Sequence, residues 1–267
     1  ARLLQRRGHE VVIYARDLPP HTTSNIAGAE WGVFSVADPG RRTAAFDAQF
    51  VRAAQRAHRM FQDLAGERYR LDTPKPADVT SLVKTVAAVA AAVGAADGTV
   101  DRVGVTFPGV ILDGVVRTAA NLHRSWIGAP GQKLFGEAIG RPVTLMNDAD
   151  AAGLAEVRYG AGRRQRGVVL MLTFGTGIGS ALFVDGALVP NTELGHLELD
   201  GHDAEERASD RARETEDLDW DTWAKRVERY LSHVEALLWP DLIIIGGGVS
   251  KRVDKWLSYV DIRTPVV

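Results

Sequence analysis

"LTFGTGIGS", residues 172–180, closes an apolar run with Gly175, Gly177 and Gly179 at every second position. A Gly-x-Gly-x-x-Gly turn between a strand and a helix would mark a dinucleotide site. Here the glycines are spaced by two, and Ser180–Val184 reads as another strand. They are therefore expected to turn an antiparallel hairpin. Glycine there permits positive φ and lets backbone N–H groups close on an anion. Thr173 and Thr176 add hydroxyl donors. Taken by itself the stretch fits a phosphate loop and a glycine-rich hairpin that binds nothing about equally.

Upstream lies "VTLMNDADAAGLAE", residues 143–156, a buried strand running into a helix. Asp148 reads first as a helix cap. Yet Asn147, Asp148 and Asp150 gather at a strand's C-terminal end, where open α/β sheets place ligands. A carboxylate of ordinary pKa (~3.9) is a weak base. It suffices for phosphoryl transfer, where positioning and charge stabilisation do most of the work. Downstream, "NTELGHLEL", residues 191–199, sets Glu193 and His196 around Leu194-Gly195. The chain has no cysteine, so a Cys/His zinc site is excluded; a satisfied polar histidine and sugar-hydroxyl recognition both stay open. Finally "LIIIGGGVSK", residues 242–251, joins a strand to a helix from about Ser250 through Gly246, Gly247 and Gly248. That is an anion-site geometry, and equally a tight connection.

Strands and helices alternate between these stretches, with hairpins at Asp113-Gly114 and Asp185-Gly186. Asp78 is placed to cap a helix running to Val93 and ended by Gly94. Thr222–Trp239 is amphipathic, with Trp223, Val227, Tyr230, Leu231, Val234 and Leu238 on one face. The pattern predicts α/β layers around a mixed sheet. The 267 residues carry a net charge of −2, which argues against nucleic-acid or anionic-membrane binding. The longest apolar run, Val86–Val93, is far short of a membrane span. Absence of cysteine suits a cytoplasmic protein.

Taken together, residues 71–267 resemble the bacterial glucokinases of the repressor–open-reading-frame–kinase (ROK) family, in particular the polyphosphate glucokinase branch. "GVTFPGVI", "GVVRTAANLHRSWIG", the four stretches above, "AEERAS", "WAKRVERYL" and "WPDLIIIGGGVSKRVDKW" carry the likeness in family order. The resemblance implies an actin-like ATPase fold, ribonuclease H-like, with lobes at roughly 71–145 and 146–267. It implies Asp148 as general base on the glucose 6-hydroxyl. It implies sugar contacts from Asn121, Asn147, Glu193, His196 and Glu205. Thr173, Gly175, Thr176, Gly177 and Gly179 become a phosphate loop, and Gly246–Gly248 a nucleotide or polyphosphate site. Mg²⁺ is implied as cofactor and ATP or polyphosphate as donor, with no metal ligand assigned; relatives are often homodimers. Many family members carry a zinc-binding cysteine cluster after the histidine, which this chain lacks.

Residues 1–70 resemble the FAD domain of D-amino-acid oxidases through "RGHEVVIYARDLPPHTTS" and "AGAEWG". The strand and Gly-x-Gly-x-x-Gly loop that hold FAD in that family are not in the chain, so FAD is not expected. An N-terminal Rossmann-like fragment joined to an incomplete kinase is expected, with the junction near Arg70/Leu71 and truncation at both ends. Nothing before Leu71 matches the kinases' first phosphate loop, of Asp-x-Gly-Gly-Thr type. The expectation is a glucokinase of impaired activity. A glucose-binding remnant without catalysis is the alternative, and a flavin-dependent oxidase a third. Arg163, Arg164 and Arg166 read as a polyphosphate contact or as a plain basic turn.

Overall fold

The computed structural model describes residues 71–92, 103–119 and 122–267. They divide between Asn147 and Asp148 into two compact units. The flavoprotein-like segment 1–70, the expected helix end at Val93-Gly94 and Asn121 lie outside the described residues.

In the first unit, α1 (Val79–Ala92) opens as the sequence predicts: Asp78 Oδ1 accepts the Ser81 N–H at 2.8 Å. Two apolar strands, β1 (Val103–Phe107) and β4 (Val143–Asn147), pair in parallel with Phe107 opposite Asn147. Between them run the hairpin of β2 (Ile111–Leu112) and β3 (Val115–Val116) and the helix α2 (Gly131–Ile139). Asp113 and Gly114 both have positive φ, 52° and 74°, the two-residue turn whose twist matches its strands. Trp126 is fully buried between Phe107 and Phe135, with ring centroids at 4.9 and 5.5 Å. Its indole N–H is satisfied by the Ala77 carbonyl at 3.1 Å.

The second unit holds α3 (Asp148–Tyr159), β5 (Val168–Phe174), β6 (Ile178–Val184), β7 (Ala187–Val189), β8 (Glu198–Leu199), β9 (His202–Asp203), α4 (Ala204–Ala208), α5 (Asp210–Thr215), α6 (Trp220–Leu238) and β10 (Leu242–Gly247). Its main sheet has the order β10-β5-β6-β7. β10 joins β5 in parallel, and the other pairs are antiparallel. This is the expected mixed sheet. Alternate residues of β5 serve opposite faces. Leu170, Leu172 and Phe174 pack with Trp223, Val227, Tyr230, Leu231 and Val234 of α6. Val169 and Met171 share the other face with Ala152 of α3, Ala181 and Phe183. α3 lies close on β6: a Cβ at Gly153 would stand 2.6 Å from Ala181 Cβ.

Two local expectations are corrected. β10 runs through Gly246 and Gly247 rather than ending before them, because they complete its ladder with β5. The next element is a 3-10 helix, Gly248–Lys255, interrupted at Arg252 (φ −125°), instead of a helix from about Ser250.

Candidate functional site

The chain enters the second unit at Asp148, the exposed first residue of α3; Asp150 behind it is 2% exposed. Asp148 Oδ1 accepts its neighbour Ala149's N–H at 2.9 Å, and Asp150 Oδ2 accepts the Asn191 N–H at 2.9 Å. Asn147, the last residue of β4, is buried in the first unit, and its amide donates to the Gly109 carbonyl at 3.1 Å.

The glycine stretch is a hairpin, as its spacing predicts. Thr173 faces Gly179, Phe174 faces Ile178, and Gly175 N–H donates to Gly177 O at 2.9 Å. The expected reason for its glycines needs correction. None of Gly175, Gly177 and Gly179 takes a positive φ. Two of them make room for what stands close. A Cβ at Gly177 would lie 2.3 Å from Glu205 Oε2, and one at Gly179 would lie 2.6 Å from Thr173 Oγ1 and 3.0 Å from Ala149 Cβ. The hairpin thus touches the start of α3 on one side and a carboxylate on the other. Glu205 Oε2 in turn accepts the Ile178 N–H at 3.0 Å, fixing the first residue of β6. Thr176 at the tip is exposed. Gly246 and Gly247 stand beside Thr173 and Phe174 in the parallel ladder, so β5 and β10 finish at the same end of the sheet.

Residues 191–196 are tied over this end. Ser180 Oγ donates to Thr192 O at 2.7 Å and accepts the Leu194 N–H at 3.1 Å. A Cβ at Gly195 would meet Ile178 O at 2.3 Å, so the turn carrying Glu193 and His196 presses on β6. Glu193 Oε1 is buried without a hydrogen-bond partner. Burial pushes the Glu193 carboxyl above its ordinary range. The nearby His196 opposes that shift, and Asp148, Glu205 and Asp150 reinforce it. Burial likewise raises Asp150, against the Asn191 hydrogen bond and with help from Asp148. His196 Nδ1 lies 2.9 Å from Asp203 Oδ2 and 3.9 Å from Glu205 Oε1. The Asp203 hydrogen bond raises the imidazole's pKa against its partial burial.

The second unit therefore brings Asp148, His196 and Glu205 within electrostatic reach of Glu193. Sequence reasoning passed over Ser180, Thr192 and Asp203, and saw in Asp150 only a member of a polar cluster. A hydroxyl inside the apolar run 178–184 was the signal for Ser180. Among the described residues no group of three or more His, Cys, Asp or Glu side chains could hold a metal ion. No described helix is long and apolar enough to cross a membrane.

A family model described as "ROK family" matches residues 58–215, starting ahead of the 70/71 junction read from the sequence. Polyphosphate glucokinase of Mycobacterium tuberculosis is 51% identical over 205 residues, covering 76% of this chain and 76% of that protein. Polyphosphate glucokinase of Mycobacterium leprae is 48% identical over 205 residues, 76% of this chain and 62% of that protein. Among solved structures, the inorganic polyphosphate/ATP-glucomannokinase of Arthrobacter sp. strain KM is 52% identical with a TM-score of 0.70, covering 74% of this chain and 79% of that one. A ROK family glucokinase from Streptomyces griseus, in complex with glucose and AMPPNP, shares the fold: TM-score 0.61 at 22% identity, covering 74% of this chain and 84% of that one.

Proposed function

The chain belongs to the ROK family, and on that premise we propose that it transfers a phosphoryl group from polyphosphate or ATP to the 6-hydroxyl of glucose. The observation that carries this reading is Glu193: a half-buried carboxylate with one buried, unpartnered oxygen, within electrostatic reach of Asp148, His196 and Glu205. A sugar supplies hydroxyl donors for such an oxygen, and the hairpin supplies an approach for phosphate.

In this reading Asp148 accepts the 6-hydroxyl proton as the O6–P bond forms and the bond from phosphorus to the leaving phosphate oxygen breaks. ADP, or polyphosphate one unit shorter, departs with that bond's electrons. Glu193 and His196 bind the neighbouring hydroxyls and hold O6 in line. Such positioning is the main protein contribution to phosphoryl transfer. Thr173, Gly175, Thr176, Gly177 and Gly179 receive the donor's phosphates, with Gly246–Gly248 on the adjacent strand end. Mg²⁺, were it bound with the donor, would supply charge neutralisation at those phosphates. Glu205 has a double part, because one oxygen already holds Ile178 N–H while the other lies toward His196.

A coupled glucose-6-phosphate assay with each donor tests this reading. Product formation abolished by Asp148→Asn is the expected result. A rate surviving that substitution overturns the base assignment. Glucose binding by calorimetry without any product would instead favour a sugar-binding remnant.

A further inference from the structure

We propose that Asp203 is a positioning residue for the sugar site: it holds His196 through Nδ1 so that Nε2 is the nitrogen offered to a substrate hydroxyl. The inference deepens the glucose reading above and rests on it.

Three features point to this. The first is contact: His196 Nδ1 and Asp203 Oδ2 stand 2.9 Å apart. A carboxylate can only accept, so the shared proton sits on Nδ1. That fixes the tautomer and leaves the Nε2 lone pair to accept from a hydroxyl, while the protonated ring would donate instead. The second is diversion. Asp203 occupies the N-cap position of α4, with extended φ/ψ (−60°, 133°), yet its side chain makes no capping hydrogen bond. An aspartate there ordinarily caps its own helix; this one turns to the histidine. The third is the device that places it. β8 and β9 form a minimal hairpin with Glu198 opposite Asp203 and Leu199 opposite His202. Its turn, Asp200-Gly201, has φ of 55° and 82°, the pair of left-handed residues that a two-residue hairpin needs. The Ala204 N–H then donates to Leu197 O at 2.9 Å, closing the segment from His196 to Asp203 into a rigid loop. Glu205 and Glu193 are the other charged groups facing the imidazole. Glu205 is farther, at 3.9 Å, and is engaged by Ile178.

The test uses the full chain with ¹⁵N-labelled histidine. The His196 signals are identified by their loss in His196→Gln. In the parent chain the Nδ1–H tautomer is expected, with a titration midpoint above the ordinary imidazole value. Asp203→Asn keeps an acceptor of the same shape and removes the charge; Asp203→Ala removes both. The midpoint should fall in both variants, and the tautomer preference should be lost in the alanine variant. Glucose affinity by calorimetry should fall in the order parent, Asn, Ala, reaching about tenfold, as for other residues that orient a ligating histidine. Adding Asp203→Asn to His196→Gln should change affinity no further. If Asp203→Asn leaves midpoint and affinity unchanged while the parent binds glucose, the inference is overturned and the glucose reading stands. If the parent chain binds no glucose, the reading falls and the inference with it.

Discussion

Two glycine-rich segments end at the same edge of the second unit's sheet, and their glycines are there for different reasons. At the hairpin, Gly177 leaves room for the Glu205 carboxylate, and Gly179 for the Thr173 hydroxyl and the start of α3. At the end of β10, Gly247 has φ 83° and ψ −172°, a conformation open essentially to glycine. A Cβ there would lie 2.4 Å from the Phe174 carbonyl oxygen, and one at Gly246 would lie 2.7 Å from Met171 Cε. The hairpin glycines accommodate groups with chemistry; the strand-end glycines accommodate the sheet itself. The same residue type thus makes room for polar side chains in one place and for backbone packing in the other.

This contrast can be broken by substitution. Gly247→Ala should have the largest effect on the fold, a loss of about 2–4 kcal/mol in stability, because strain and backbone overlap coincide. Denaturant unfolding measures it, and an unchanged midpoint would erase the distinction between the segments. Gly177→Ala should do the reverse. Displacing the Glu205 carboxylate should lower glucose affinity about tenfold while changing stability by less than about 1 kcal/mol; calorimetry beside the same unfolding curves separates the two. Glu205→Gln sharpens the point. It keeps an acceptor for Ile178 N–H and removes only charge near Glu193 and His196, so a fall in affinity of a few fold with stability intact is expected.

The smallest effect is in pH. His196 is raised in the folded state by its Asp203 hydrogen bond. Its stabilisation is therefore complete below the unfolded imidazole pKa and is lost as pH rises through the folded value. Glu193 and Asp150 are raised by burial. For a raised carboxyl the sign is the same: the folded protein holds its proton longer, so stability declines as pH climbs from the ordinary carboxylate range through the folded value. Thermal unfolding against pH should show both declines, and Asp203→Asn should flatten only the upper one.

Local chemistry made much of this readable. Asp113-Gly114 and Asp185-Gly186 announced hairpins because two successive left-handed residues suit so few other turns, and the observed φ values are 52° and 74°, 50° and 80°. The face of α6 was visible because Trp223, Val227, Tyr230, Leu231 and Val234 repeat at helical spacing, and all are fully buried. The same Asp-Gly signal at Asp200-Gly201 went unused, since its flanks Glu198 and His202-Asp203 are polar where Ile111–Leu112 and Val115–Val116 are apolar. The parallel pairing of β10 with β5 depends on contacts between segments far apart in the chain, which periodicity does not encode. Among the candidate residues, Asp148, Glu193 and His196 stood out by residue type, and Glu205 through the resemblance alone. Asp203 did not, because an aspartate before a helix reads as its cap. The reason for the hairpin glycines was misread as backbone freedom, because the crowding comes from Glu205, which no local pattern connects to them.

The last residue of β5 carries a mechanical consequence. Phe174 meets Trp223 edge-on at 6.0 Å, Tyr230 edge-on at 6.2 Å and Trp256 tilted at 6.4 Å. Its own ring is fully buried, and the next residue is Gly175. The hairpin is therefore clamped at its root by the heaviest side chains of the unit rather than hung from a free strand end. Were an anion to settle on it, as proposed, a loop held in this way would have little motion left to surrender, so less of the binding energy would be spent on ordering it.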